Sequence, residues 1–220
     1  MVTRRLFLPL LALALSACAG PALSVRGALA QSDLQARLAA RGASLLGQGR
    51  ERFQVAGQVF NGDCSGFVEA VYALEGIQLR RILQAAAPRE TSAVAAAWTA
   101  AARYGRRWRG GAWPSPGDLV FFDDTWDRNG DGRRDDPLTH VGLVEWVDVD
   151  GTVTFLHRGG HGVTRGQLNL RRPDRSRAED GRPLNSFLRA RASTSDTGPA
   201  LAGQLFAGFG RIGVEGAAGP

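Results

Sequence analysis

Residues 61–77 read NGDCSGFVEAVYALEGI, a stretch typical of a helix that begins beside a cysteine. Apolar side chains follow Cys64 at helical spacing, Gly76 supplies a stop, and Asp63 is a good N-cap residue. A helix N-terminus offers partial positive charge and free backbone N–H groups, which favour a thiolate. We therefore expect Cys64 to be a nucleophile, because its polar neighbours argue against a purely apolar cysteine site.

The hydrophobic pattern on both sides of this stretch predicts helices first and strands second. One helix is predicted to begin at Ser32 as its N-cap, and an alanine-rich helix is predicted over 91–104, while residues 47–62 have the composition of a loop. Strands are predicted at DLVFF (118–122), HVGLVEWV (140–147) and TVTFLH (152–157), with a short apolar piece at 184–188 to close the sheet. Helices followed by an antiparallel sheet indicate an α+β fold.

The chain has three histidines, and two of them lie at the ends of predicted strands. His140 opens one strand and His157 closes the next. A thiol nucleophile needs a base within hydrogen-bond reach and a third polar group that orients the base. A four-residue turn at 148–151 sets a register that favours His161 as much as His157, whereas a β-bulge would absorb the offset. We expect His157 to be the third residue, since the segment before His161 has loop composition.

Three motifs in the chain resemble those of the NlpC/P60 cysteine peptidases and, more distantly, those of the related CHAP amidases. They are DCSGF at 63–67, PGDLVFF at 116–122 and HVG at 140–142, and the resemblance covers roughly residues 33–190. It implies a papain-like fold in which N-terminal helices pack on an antiparallel β-sheet. It also implies that Cys64 is the nucleophile, His140 the general base and His157 the residue that orients the base.

The substrate that this resemblance implies is peptidoglycan, cut at amide bonds of its stem peptides without a cofactor, commonly between D-γ-glutamyl and a diamino acid. Asp63 and Ser65 match positions that hold the free L-alanine amine of a stem peptide in some members, although Asp63 would also serve as the N-cap. Two other functions stay open. One is a CHAP-like N-acetylmuramoyl-L-alanine amidase, and the other is a non-catalytic wall-binding lipoprotein.

An insertion at 123–138, DDTWDRNGDGRRDDPL, separates the second motif from the third. The D-x-N-x-D-G-x-x-D spacing of calcium-binding loops is met by Asp127, Asn129, Asp131 and Asp135, with the carbonyl of Arg133 as a further ligand. The bidentate glutamate of an EF-hand is missing, and neighbouring arginines could neutralise the carboxylates instead. A structural calcium ion and a metal-free polar turn are therefore both open interpretations.

The first 17 residues combine two arginines with an apolar run too short for a membrane span, as expected of a signal peptide. Their end, LSAC at 15–18, resembles a bacterial lipobox, which implies lipidation of Cys18 and a tether over 18–31. Cleavage after Ala30 is the alternative, and the start TRRLFL also resembles a twin-arginine signal. We expect an exported protein that a lipid anchor holds on a membrane of the cell envelope.

Length and charge limit the remaining possibilities. The 220 residues suffice for one domain, which we place at 32–190, followed by a weakly ordered tail at 191–220 that is rich in small residues. The formal net charge is +6, and all 27 basic residues are arginines. These arginines form neither a basic helix nor a patch interleaved with aromatic residues, so we expect no nucleic-acid partner. Two cysteines exclude a disulfide scaffold.

Overall fold

The computed structural model describes residues 25–48, 51–189 and 198–214. Over these residues the helices are α1 (Val25–Ser44), α2 (Cys64–Ala73), α3 (Leu79–Ala86) and α4 (Ala93–Tyr104). The strands are β1 (Arg52–Val55), β2 (Gln58–Asn61), β3 (Gly105–Trp108), β4 (Leu119–Phe122), β5 (His140–Val147), β6 (Val153–Gly159), β7 (Gly162–Leu168) and β8 (Phe206–Ile212). The predicted signal peptide at 1–17 and the predicted lipidation site Cys18 lie outside the described residues.

A six-stranded antiparallel sheet in the order β3-β8-β4-β5-β6-β7 forms the centre of the fold, and β1 pairs with β2 in a separate hairpin. Side chains of β4 alternate between two cores. Leu119 and Phe121 pack with the helices, whereas Val120 and Phe122 pack in a second core with residues of the segment around 202–209. Both faces of the sheet are thus covered. The α+β prediction is confirmed.

Helix α2 lies within the core that the helices share with the sheet, and nearly all of its side chains are buried. Asp63 caps it, because its Oδ1 accepts hydrogen bonds from the Gly66 N–H at 2.7 Å and from the Ser65 hydroxyl at 2.8 Å. A Cβ on Gly66 would lie 2.0 Å from the carbonyl oxygen of Asn61 at the end of β2, so only glycine fits there. The hairpin therefore fixes where α2 begins, and with it the position of Cys64.

The first helix begins earlier than predicted. It starts at Val25 instead of at Ser32, so residues 25–31 of the predicted tether are helical. The small residues interpreted as a tether include alanines, which are the best helix formers. None of the helices in the described ranges combines the length and the apolar character that crossing a bilayer requires.

Several short elements differ from the predictions or were missed. The predicted loop at 47–62 contains the β1–β2 hairpin, whose turn residues Ala56 and Gly57 both have the positive φ of a tight hairpin turn. An Ala-Gly pair lacks the usual sequence signature of such a turn. Helix α3 was also missed. The edge strands β3 and β7 were missed because edge strands commonly carry charged residues, which hide the apolar pattern of a strand. The piece at 184–188, predicted to close the sheet, contributes only an isolated bridge.

The tail predicted to be weakly ordered over 191–220 is the largest correction, because it supplies β8. This strand pairs with β3 on one side and β4 on the other. A Cβ on Gly208 would lie 2.6 Å from the ring of Trp98, and one on Gly210 would lie 2.9 Å from the ring of Phe121. The small residues that suggest a flexible tail are thus what lets aromatic side chains pack against the sheet.

Candidate active site

A cavity of about 570 Å³ lies where the N-terminus of α2 meets β5 and β6. Its lining includes Cys64 at the start of α2, His140 at the start of β5 and His157 near the end of β6. Asp63 and Ser65 line it as well. The structure thus brings all five predicted catalytic and substrate-binding residues to one cavity.

The environment of the Cys64 thiol opposes ionisation. Burial is the largest influence and raises the pKa of this thiol to about 11, and the charge of Asp63 acts in the same direction. Backbone N–H groups of Val141 and Ser65 lower the pKa, as does the N–H of the cysteine itself. Burial thus outweighs the helix start in its influence on the pKa of this thiol. The contact with Val141 also places the sulfur beside the backbone of the residue that follows His140.

The two histidines of the cavity contact each other directly. Nε2 of His140 and Nδ1 of His157 are 2.9 Å apart, and the two rings are nearly perpendicular. The turn between β5 and β6 is longer than predicted. A bulge in the β5–β6 ladder offsets the extra length, so that Leu143 pairs with Leu156. In that register the histidines are diagonal neighbours, which large side chains can bridge. His161 is exposed in the turn between β6 and β7.

Burial favours the neutral form of both imidazoles in the folded protein. Burial lowers the pKa of His140 to about 3, and the neighbouring His157 lowers it further. Burial also lowers the pKa of His157 to about 4. The two rings pack near Phe122 and Phe155, at centroid distances of 6.2 Å and 5.2 Å. A neutral imidazole beside a neutral thiol can accept the thiol proton during attack instead of before it.

Asp63 has one of its two predicted roles, because it is the N-cap of α2. Its Oδ1 is shared by the Gly66 N–H and the Ser65 hydroxyl. The side chain is nevertheless exposed and lines the cavity. Capping therefore leaves a carboxylate next to the thiol, where it can meet a ligand amine.

Two large aromatic side chains of the lining were missed in the sequence. Trp126 belongs to the insertion at 123–138, and Phe187 lies in the segment that follows the edge strand β7. A tryptophan within the polar run DDTWDRN is a signal that could have identified the first. The sequence around Phe187 gives no comparable signal, since only the fold carries it to the cavity.

The residues predicted to hold calcium form a turn that is closed by their own backbone. Asp127 accepts hydrogen bonds from two glycine N–H groups of the loop. Asn129 accepts the N–H of Asp131, which in turn accepts the N–H of Arg133. Asp135 is exposed. Within the described ranges, no three His, Cys, Asp or Glu side chains are grouped so that they could hold a metal ion. Calcium binding stays a prediction.

Comparison with protein families gives a match for residues 54–159 to the CHAP domain family. This segment is a CHAP domain. It contains Cys64, His140 and His157 and leaves out β8, although β8 completes the sheet. Neither the curated proteins nor the solved structures include a significant match to the chain.

The CHAP domain establishes the general class of the protein. CHAP domains are hydrolases of the cysteine peptidase and amidase class, so this protein is a peptidoglycan hydrolase in that general sense. The helices and the antiparallel sheet agree with the papain-like arrangement of that class. The resemblance inferred from the three motifs is confirmed at this level.

Proposed function

We propose that the CHAP domain hydrolyses an amide bond in peptidoglycan stem peptides, with Cys64 as nucleophile, His140 as general base and acid, and His157 as the orienting residue. The observation that carries this proposal is the shared cavity. It is lined by a thiol at a helix start and by two histidines that are hydrogen-bonded to each other. A nucleophile, a base and an orienting group are the three parts that cysteine acyl transfer needs.

The histidine pair gives this reaction its proton path. In the tautomer in which Nε2–H of His140 donates to Nδ1 of His157, Nδ1 of His140 carries the lone pair that takes the thiol proton. The sulfur attacks the carbonyl carbon, and the proton passes to the leaving amine as the C–N bond breaks. Water then attacks the thioester, which releases the acid and restores the thiol. The backbone N–H of Cys64, in the first turn of α2, is the first candidate to stabilise the oxyanion.

The bond between D-γ-glutamyl and a diamino acid is the first candidate for cleavage. Asp63 and Ser65 support it, because their carboxylate and hydroxyl stand beside the nucleophile, where the free amine of a stem peptide would be recognised. The bond between N-acetylmuramic acid and L-alanine is the second candidate. It is favoured by the match to the CHAP domain, whose class includes amidases.

Digestion of isolated sacculi tests the proposal. The purified protein should release soluble fragments, and mass spectrometry should show whether the disaccharide keeps L-Ala-D-Glu, as an endopeptidase leaves it, or loses its whole peptide, as an amidase leaves it. Cys64→Ala should abolish release, whereas Cys18→Ala, the matched loss of the other cysteine, should retain it. Wild-type release by Cys64→Ala would contradict the proposal. Binding of the wild-type protein to sacculi without any release would instead support a non-catalytic wall-binding lipoprotein.

We further propose that the protein is exported and anchored in the cell envelope through a lipid on Cys18. The support is the LSAC sequence at 15–18. An acylated cysteine with more than one chain should hold the protein in the membrane fraction. Cys18→Ala should move it to the soluble fraction. A native soluble protein that begins at Gln31 would show that cleavage after Ala30 is used instead.

A further inference from the structure

Two large aromatic side chains stand exposed in the lining of the active-site cavity. Trp126 is 53% exposed and Phe187 is 60% exposed. Exposing an aromatic face to water is unfavourable in free energy. Apolar side chains that are exposed singly are common and need no explanation, but a group of them at one site marks a binding surface. Here they share one concave site with Cys64, which is the setting of a ligand contact.

Trp126 is held in place by the backbone that leads into His140. Its indole N–H donates to the carbonyl oxygen of Thr139 at 3.3 Å. The hydroxyl of Thr139 also accepts the backbone N–H of Thr125 at 2.8 Å, and this pair is buried. The ring is therefore fixed in position beside the general base.

Phe187 is carried by a segment whose backbone is also held by hydrogen bonds. Its backbone forms an isolated bridge with Leu201, and the N–H of Leu188 donates to the carbonyl oxygen of Ala200 at 2.9 Å. The segment 198–205 thus fixes the backbone that carries this second ring. Two aromatic side chains from distant parts of the sequence are positioned at one cavity.

We propose that Trp126 and Phe187 form a subsite for a pyranose ring of the glycan strand; this inference rests on the proposed function. The face of a pyranose ring presents C–H groups with partial positive charge, which pack well against the negative face of an aromatic ring. The stem-peptide residues near the candidate bonds are small or charged, so they offer no comparable flat apolar face. The preferred substrate is accordingly a peptide that is still joined to its sugar.

Binding without hydrolysis tests the subsite directly. In the Cys64→Ala background, isothermal titration with the peptide-free disaccharide N-acetylglucosaminyl-N-acetylmuramic acid should show binding. Trp126→Ala and Phe187→Ala should each weaken it about tenfold, in line with the loss of one aromatic contact. Trp126→Phe should keep most of the affinity, because it removes the N–H and retains a ring face. Trp146→Ala is the matched control, since Trp146 is 41% exposed but lies outside the cavity.

Kinetics separate this subsite from a structural role for the same residue. With a disaccharide-linked peptide, Trp126→Ala should raise KM about tenfold at nearly unchanged kcat, whereas the change in KM for the free peptide should be much smaller. An equal loss on both substrates would mean that Trp126 positions His140 and would overturn the inference. Disaccharide affinity that is insensitive to both aromatic substitutions would also overturn it. Failure to hydrolyse either substrate would count against the proposed function alone, since the titration judges the subsite without turnover.

Discussion

The helix start lowers the pKa of the Cys64 thiol, and burial raises it. The dependence of the alkylation rate on pH measures the net effect. Because burial raises the pKa of this thiol to about 11, its reaction with iodoacetamide should accelerate about tenfold per pH unit to well above pH 10. An ordinary thiol levels off about two pH units earlier. The measurement is the rate constant against pH in a Cys18→Ala background, where Cys64 is the one cysteine left.

Asp63→Asn is the matched variant for this experiment. Asparagine caps a helix as well as aspartate does but removes the negative charge that opposes ionisation. The alkylation profile of the variant should therefore move to lower pH with little change in melting temperature. A wild-type profile that already reaches its plateau below pH 8 would mean that the site holds a thiolate and an imidazolium instead.

The assignment of the third residue gives a second prediction. His157→Ala should lower kcat about a hundredfold or more, because His140 loses the partner that fixes its ring and tautomer at 2.9 Å. His161→Ala is the matched control in the exposed turn and should retain wild-type turnover. A larger loss at His161 than at His157 would reverse the assignment.

The positions of Cys64 and His140 could be predicted from sequence because each signal is local. A capped helix start and the first residue of an apolar strand are both visible in a short window of sequence. The raised pKa of the thiol could not be predicted in this way, because it depends on how deeply the folded chain buries the sulfur. Phe187 was missed because only the folded chain brings it to the cavity.

At the scale of elements, β8 is attached to the sheet by an ion pair as well as by its ladder. Nε of Arg211 lies 2.6 Å from Oδ1 of the fully buried Asp118, just before β4. Arg211→Ala should lower the free energy of unfolding by about 3 kcal/mol, because it leaves a buried carboxylate without its cation. Urea unfolding measures this loss.

Arg182→Ala is the control for that experiment. It removes an ion pair with Asp150 in which the two side chains are 47% and 31% exposed. The loss of stability should be much smaller than that of Arg211→Ala, because solvent screens an exposed ion pair. Equal losses in the two variants would show that burial of Asp118 does not decide the strength of the Arg211 contact.

The difference between predicted and missed strands follows from their composition. Strands β4, β5 and β6 are rich in Val, Leu and Phe and were predicted nearly to their ends. Strand β8 reads FAGFGRI, and its glycines are needed because Trp98 and Phe121 occupy the space of their side chains. A requirement set by residues about a hundred positions away leaves no trace in a local pattern.

The insertion at 123–138 carries the calcium prediction. If the loop binds calcium, millimolar calcium should raise the melting temperature relative to chelator, by the equivalent of about 2.7 kcal/mol at a hundredfold excess over Kd. Asp131→Ala should remove the difference, and Asp174→Ala, at an exposed aspartate outside the loop, should preserve it. Identical melting curves in calcium and chelator would establish the metal-free polar turn.

At the scale of the whole molecule, the two neutral histidines link stability to pH. Burial holds the pKa of His140 at about 3 and that of His157 at about 4, whereas both titrate near 6.5 in the unfolded chain. Below pH 6.5 the unfolded state therefore binds protons that the folded state excludes. The stabilisation is complete above pH 6.5 and is lost as pH falls towards the folded values. At pH 5 the loss should be about 2 kcal/mol for each histidine.

The window between pH 6.5 and 4.5 separates this effect from those of Asp150 and Glu75. Arg182 lowers the pKa of Asp150 to about 2. Burial raises the pKa of Glu75, but the hydrogen bonds and charges of Arg37 and Arg41 lower it by more. Both carboxylates therefore lose their contributions mainly at lower pH. Urea unfolding at pH 7.5 and pH 5.0 should show the drop in the wild-type protein. His157→Gln should show roughly half of it, because glutamine does not titrate while His140 still does. A variant with the full wild-type drop would mean that the acid sensitivity arises elsewhere, and the neutral histidine pair would then lose its support.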